Sequence, residues 1–144
     1  MKLRDKADTG APWVERETLV EASPEEVWEA LTDEDRLEEW MAPEVELDPF
    51  EGGEISVRDG DDHRTGTVET MEESERFAFT WSRPGEGESF VEFTLEPAGG
   101  GTRLTVIETG FAQLPDDVHG EQYKGHVEGW QSELGELAGY LAAR

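Results

Sequence analysis

Apolar residues recur along the chain with two different periods. In "RFAFTWS" (76–82), "FVEFTLEP" (90–97) and "RLTVIETGF" (103–111) every second residue is apolar. This is the spacing of a strand with one buried face. It puts Phe77, Phe79 and Trp81 inward on the first, and Val91, Phe93 and Leu95 on the second. On the third it turns Leu104, Val106 and, by the same parity, Glu108 inward. "RTGTVETM" (64–71) reads as a strand with Gly66, Val68 and Thr70 on one side, and "EISV" as one with Ile55 and Val57 on one face. Turn chemistry separates them at Gly52-Gly53, "DGDD", "RPGEGE" and "GGGT". An extended segment from Trp13 to Val20 precedes the set. Short strands joined by tight turns imply antiparallel pairing.

The other period is helical. Ser23, Pro24 and Glu26 form an N-cap, a first-turn proline and the far half of a capping box. Val27, Trp28 and Leu31 then share a face. Thr32 or Asp33 caps a second short helix with Leu37, Trp40 and Met41 on its apolar side, stopped by Pro43. The acid pairs Glu25-Glu26 and Glu38-Glu39 fall on the opposite faces, as solvated surface. Near the C-terminus Tyr123, Val127, Trp130, Leu134, Leu137 and Leu141 recur at steps of three and four. Their stripe is about 27 Å long at the helical rise and needs a broad apolar partner. The order is strand, two short helices, a run of strands, long helix. It describes an α+β domain with helices on one face of an antiparallel sheet. Residues 1–12 are expected to be a flexible N-terminal segment and 13–144 one domain.

Charge narrows the partners. The 144 residues carry 36 acidic and 12 basic side chains, a formal net charge of −24. Nucleic acid and anionic membranes need basic surfaces, so neither is expected as a partner. Five Trp and six Phe in so acidic a chain mean a folded core. An acidic surface with few Lys fits a high-salt cytoplasm, where screening suppresses self-repulsion. An ordinary acidic protein is the alternative. The absence of Cys excludes disulfides. No signal peptide or membrane span is legible, so a cytoplasmic location is expected.

Five stretches in order resemble one family. They are "VEASPEEVWEALTDEDRLEEWMAP", "DPFEGGEISVRDG", "GTVETMEESERFAFTW", "FVEFTLEPAGGGTRLTVIETGF" and "GWQSELGELAGYL". Together they look like the START-like, or SRPBCC, superfamily, in the branch named after the activator of the heat-shock-protein ATPase. The resemblance implies a helix-grip fold. A curved antiparallel sheet wraps around the long C-terminal helix, two short helices follow the first strand, and a cavity lies between sheet and helix. It further implies a small hydrophobic or aromatic ligand. The alternatives within the family are a co-chaperone that binds a heat-shock chaperone, or a polyketide cyclase-like enzyme. This chain leaves no room for the co-chaperones' separate N-terminal domain. Trp40-Met41 stands where paired aromatics often end the second helix.

On these grounds the cavity residues are expected to be Trp40, Met41, Val57, Val68, Phe79, Trp81, Phe93, Val106, Glu108, Tyr123, His126, Val127 and Trp130. The aromatic members fit a packed core as well as a pocket. Glu108 either faces the apolar interior, paired or hydrated, or sits in solvent at the rim if its strand ends at Ile107. Three scattered His residues (His63, His119, His126) lack metal-ligand spacing, and "DGDD" lacks the rest of a calcium loop. No metal or cofactor is expected. Arg58, Arg64 and Arg83 either receive an anionic ligand group or neutralise nearby carboxylates. No nucleophile–base signature is present, so an enzyme would rely on Glu108 or His126 as general acid or base. A monomer or weak homodimer is expected.

Overall fold

The computed structural model describes residues 14–85, 87–109, 130 and 132–142. Tyr123, His126 and Val127 lie outside them, as do His119 and residues 1–12. Strand β1 (Val14–Val20) leads into helices α1 (Pro24–Thr32) and α2 (Glu34–Trp40). Six strands follow: β2 (Glu44–Leu47), β3 (Glu54–Asp59), β4 (Asp62–Glu72), β5 (Arg76–Ser82), β6 (Ser89–Ala98) and β7 (Gly101–Thr109). The described helical residues at 130 and 132–142 form α3. All seven strands make one antiparallel, curved sheet in the order β1-β7-β6-β5-β4-β3-β2. This is the helix-grip arrangement the sequence implies. Among the described residues no helix is long and apolar enough to cross a membrane.

The helices form for the reasons read from their sequence. The Ser23 hydroxyl accepts the Glu26 N–H at 3.2 Å, and the Glu26 carboxylate accepts the Ser23 N–H at 3.1 Å, closing the capping box. Asp33 caps α2 by accepting the Asp35 N–H at 2.9 Å. Trp40 turns its indole into the core and donates its N–H to the Ala30 carbonyl at 2.8 Å, which locks α2 onto α1. Trp28 sits edge-on to Phe77, with centroids 6.3 Å apart.

Two features depart from the periodic reading. The short strand β2 was not expected. Val45 and Leu47 are buried while Glu44 and Glu46 are exposed. The helix α2 completes its outer edge: Glu38 accepts the Val45 N–H at 3.0 Å and Glu34 accepts the Leu47 N–H at 2.8 Å. Glu38 is therefore an edge cap and not merely solvated surface, and it helps shield an edge open to further pairing. The second departure is a bulge in β4, where the register steps between Val68 and Thr70. The extra residue reverses the alternation. Val68 faces Phe79 and Met71 faces Phe77, both on the core side, while Thr70 pairs with Ala78 on the other face. The expectation that Thr70 shares a side with Gly66 and Val68 is thereby corrected.

Two strands also approach closely at Gly66, which stands opposite Trp81. A Cβ at this position would lie 1.6 Å from the Thr80 carbonyl oxygen. Only glycine lets β5 approach β4 this closely.

Candidate functional site

The inner face of the sheet carries a row of side chains from five strands: Val14, Glu108, Val91, Phe79 and Val68, each opposite the next. All are fully buried. Four are apolar and the fifth is a carboxylate. Strand β7 runs on to Thr109, so parity holds and Glu108 points inward with 0% of its surface exposed. The rim alternative is thus excluded.

Burial of a carboxylate is costly unless hydrogen bonds replace its water. Among the described residues, three donors do so. Trp81 gives its indole N–H to Oε2 at 3.0 Å, and Ser89 gives its hydroxyl to the same oxygen at 2.5 Å. Trp130, on α3, gives its indole N–H to Oε1 at 2.8 Å. An indole N–H can only donate, so both carboxylate oxygens act as acceptors. Bonds of this kind to an ionised acceptor are short and about twice as strong as neutral ones.

The rings around this carboxylate touch one another. Trp81 and Trp130 stack with centroids 6.0 Å apart and planes 19° apart. Phe93 meets Trp130 edge-on at 5.5 Å, and Phe79 meets Trp81 edge-on at 5.1 Å. Strand parity brings three of these rings to one face, and the helical stripe brings the fourth. Trp130, Leu134, Leu137 and Leu141 are all buried, as their spacing predicts.

Of the expected cavity residues, Phe79, Trp81, Phe93, Val106, Glu108 and Trp130 converge here, with Val68 one strand away. Met41 and Val57 are half-buried against the same core. Trp40 is spent on the contact between α1 and α2, away from the carboxylate. Ser89 was not foreseen. Its signal was present: it stands two residues before the inward Val91 on the same strand.

The arginines separate. Arg83 makes a two-pronged pair with Asp62, at 2.6 and 3.2 Å. Arg58 lies 3.1 Å from Nδ1 of His63, whose Nε2 is 2.9 Å from the Ser56 hydroxyl. Because the guanidinium only donates, Nδ1 accepts and Nε2 carries the proton given to Ser56. Arg64 differs from both. It stands two residues before Gly66 on β4, on the core side, and its guanidinium lies 4.5 Å above the Trp81 ring. It also bears on Glu133 of α3. Burial first, then Glu136, with Asp59 adding to them, push Glu133 up to about 7 against the opposing pull of Arg64. Among the described residues no group of three potential ligands is placed to hold a metal. In the segment 59–62, Asp59 pairs with Asp62, and residues 60–61 are the two-residue turn of the β3–β4 hairpin.

The family model described as "Activator of Hsp90 ATPase homolog 1-like protein" matches residues 21–142. The crystal structure of DynU16, from the dynemicin biosynthetic locus, is 32% identical with a TM-score of 0.80, covering 90% of this chain and 47% of that one. The chain thus spans about half the length of that relative. Protein MLL2253 from Mesorhizobium loti is 26% identical with a TM-score of 0.83, covering 92% of this chain and 98% of that one. The Aha1 dimer from Colwellia psychrerythraea has a TM-score of 0.77 at 18% identity, covering 90% and 96%, a likeness of fold alone. None of the curated proteins matches the chain.

Proposed function

Because the chain belongs to the Activator of Hsp90 ATPase homolog 1-like family, we propose that it is a START-like binding protein. On this reading residues 13–144 are one domain that holds a small hydrophobic or aromatic molecule between the sheet and α3. It needs no cofactor and works in the cytoplasm. One observation carries the reading: Glu108 is buried in an otherwise apolar row and is held by Trp81, Trp130 and Ser89. An apolar residue of similar volume at this position would often stabilise the fold as well or better. A polar group kept there despite its desolvation cost is what a binding interior uses to orient a ligand. The surrounding rings supply the flat, apolar contact that an aromatic molecule requires.

Native mass spectrometry of the purified chain, together with titration by the neutral dye Nile red, tests this. One bound molecule per chain and saturable dye binding, weakened in Trp130→Ala, are expected. A chain that carries no ligand and takes up no dye saturably sinks the reading. Two other outcomes redirect it. Stimulation of a heat-shock ATPase by a chain that binds nothing favours the co-chaperone alternative. Turnover lost in Glu108→Gln with ligand affinity retained favours a cyclase-like enzyme.

A further inference from the structure

Arg16 is a half-buried cation on the inner side of β1, the strand at one end of the sheet. It stands opposite the buried Val106, and Thr18 stands opposite the buried Leu104 on the same side. Strand alternation sends its acidic neighbours Glu15 and Glu17 to the outer face, where Glu17 meets Arg103 at 3.0 Å. The inward carboxylate nearest in register is Glu108, opposite Val14, and it takes donors from Trp81, Ser89 and Trp130. The Arg16 Nη1 donates to the Glu15 carbonyl at 2.7 Å, and its buried Nε has no acceptor. Among the described residues no carboxylate pairs with Arg16, whereas Arg36, Arg76, Arg83 and Arg103 each meet one. We infer that Arg16 and Thr18 form a receiving site for the carboxylate group of a small organic acid, on the inner lip of β1.

The contrast with Arg76 locates the unmet charge. Its Nε is also buried without an acceptor, but Glu72 and Glu92 neutralise that guanidinium. A buried polar group without a partner in a folded protein calls for a water or an ion, and a cation calls for an anion. The Arg16 guanidinium is planar and always charged. With Nε covered, the donors left to a partner lie on the two Nη groups, whose outer edge matches the two oxygens of a carboxylate. The bond to the Glu15 carbonyl holds that plane in place. Thr18 follows two positions along the same face, about 7 Å on, and its hydroxyl can donate to the same group. A singly charged acid suits the surroundings better than a doubly charged phosphate, because a chain of net charge −24 repels a dianion twice as strongly. That field is screened over about 10 Å at ordinary ionic strength, whereas a direct contact is not. Because Arg16 is half-buried, an anion reaches it from solvent, and no room inside the packed core is needed. The site therefore stands independently of the binding reading above.

Titration of the isotope-labelled chain with sodium propionate, followed by amide nuclear magnetic resonance at constant ionic strength, tests this. Saturable shifts of the β1 amides and of the Arg16 Nε–H are expected with propionate, against small and unsaturable ones with chloride. Arg16→Gln should weaken propionate binding by roughly tenfold or more, the scale of one charged hydrogen-bonded contact. Arg16→Lys, which keeps the charge and loses the fork, should fall between. Thr18→Val should weaken binding by roughly twofold to tenfold, the scale of one neutral hydrogen bond. Arg103→Gln, on the outer face, should leave the affinity within about twofold. The dispersion of the amide spectrum checks that each variant is folded. Equal shifts with propionate and chloride overturn the inference, since screening alone then explains them. So do shifts that never saturate, or an equal loss in Arg103→Gln. Saturable propionate binding by a chain that takes up no Nile red upholds this site while the binding reading falls.

Discussion

Trp81 and Trp130 lie with their rings stacked 6.0 Å apart and donate their indole N–H groups to the two different oxygens of Glu108. One tryptophan comes from the sheet and the other from α3, so a single carboxylate joins the two layers. The bonds are directional and the stacking is not, which means Glu108 sets how α3 is rotated against the sheet.

The first prediction concerns this joint. Glu108→Gln replaces one acceptor oxygen with an NH2 group that must face a donor. Each buried donor left without an acceptor costs about 1–3 kcal/mol. A fall in the urea midpoint with an unchanged m-value is expected, along with weakened near-ultraviolet circular dichroism from the tryptophans. An unchanged midpoint would show that the three hydrogen bonds contribute nothing net.

Gly66→Ala should be far more damaging than an exposed glycine replacement of the same size. The added Cβ would lie 1.6 Å from the Thr80 carbonyl oxygen, which is backbone and cannot swing aside. Strand β5 must shift, at a cost on the order of 2–4 kcal/mol. Gly135→Ala is the control, since a Cβ there meets nothing within 4 Å. It should stabilise α3 by up to about 1 kcal/mol. Similar melting temperatures for the two variants would contradict the close approach.

Glu133 makes stability depend on pH in the direction opposite to a salt-bridged carboxylate. Its folded value, about 7, lies above the ordinary 4.5. Between these values the folded state holds more protons than the unfolded one, so this group's contribution falls as pH rises from about 4.5 to 7 and is flat beyond. Because Glu133 keeps some contact with solvent, the whole effect is discounted to about 1 kcal/mol. Glu133→Gln should therefore be more stable than the wild type at pH 8 and closer to it at pH 4.5, by urea denaturation. A difference between the two proteins that does not vary with pH would rule this out.

Salt should stabilise the chain. Of its charged groups, 36 are acidic and 12 basic. Surface pairs such as Arg103–Glu17 at 3.0 Å and Arg76–Glu92 at 3.1 Å lose a little on screening. The larger acidic excess gains more. A melting temperature that climbs by several degrees between about 0.1 and 2 M KCl is expected from this balance. A flat response would remove the physical ground for the high-salt reading of the composition.

Much of the site was legible because strand parity is rigid. Once Leu104 and Val106 are inward, Glu108 can avoid the core only if the strand stops, and β7 continues to Thr109. The same logic would have found Ser89 from Val91. Parity failed at Thr70, since a bulge adds one residue that no periodic rule anticipates. It also gave no sign of β2, whose few residues hold their edge through the carboxylates of Glu34 and Glu38 on a neighbouring helix.

The division has a physical basis. Periodicity, caps and turn residues are local, and they determined by themselves the order of elements other than β2, the inward face of most strands and the buried stripe of α3 from Trp130 to Leu141. Which donors meet which oxygen is a long-range matter. Trp81, Ser89 and Trp130 lie 27, 19 and 22 residues from Glu108. Only the curvature of the sheet and the seating of α3 bring them within hydrogen-bond reach, and only those decide that Arg64 covers a tryptophan instead of standing in water.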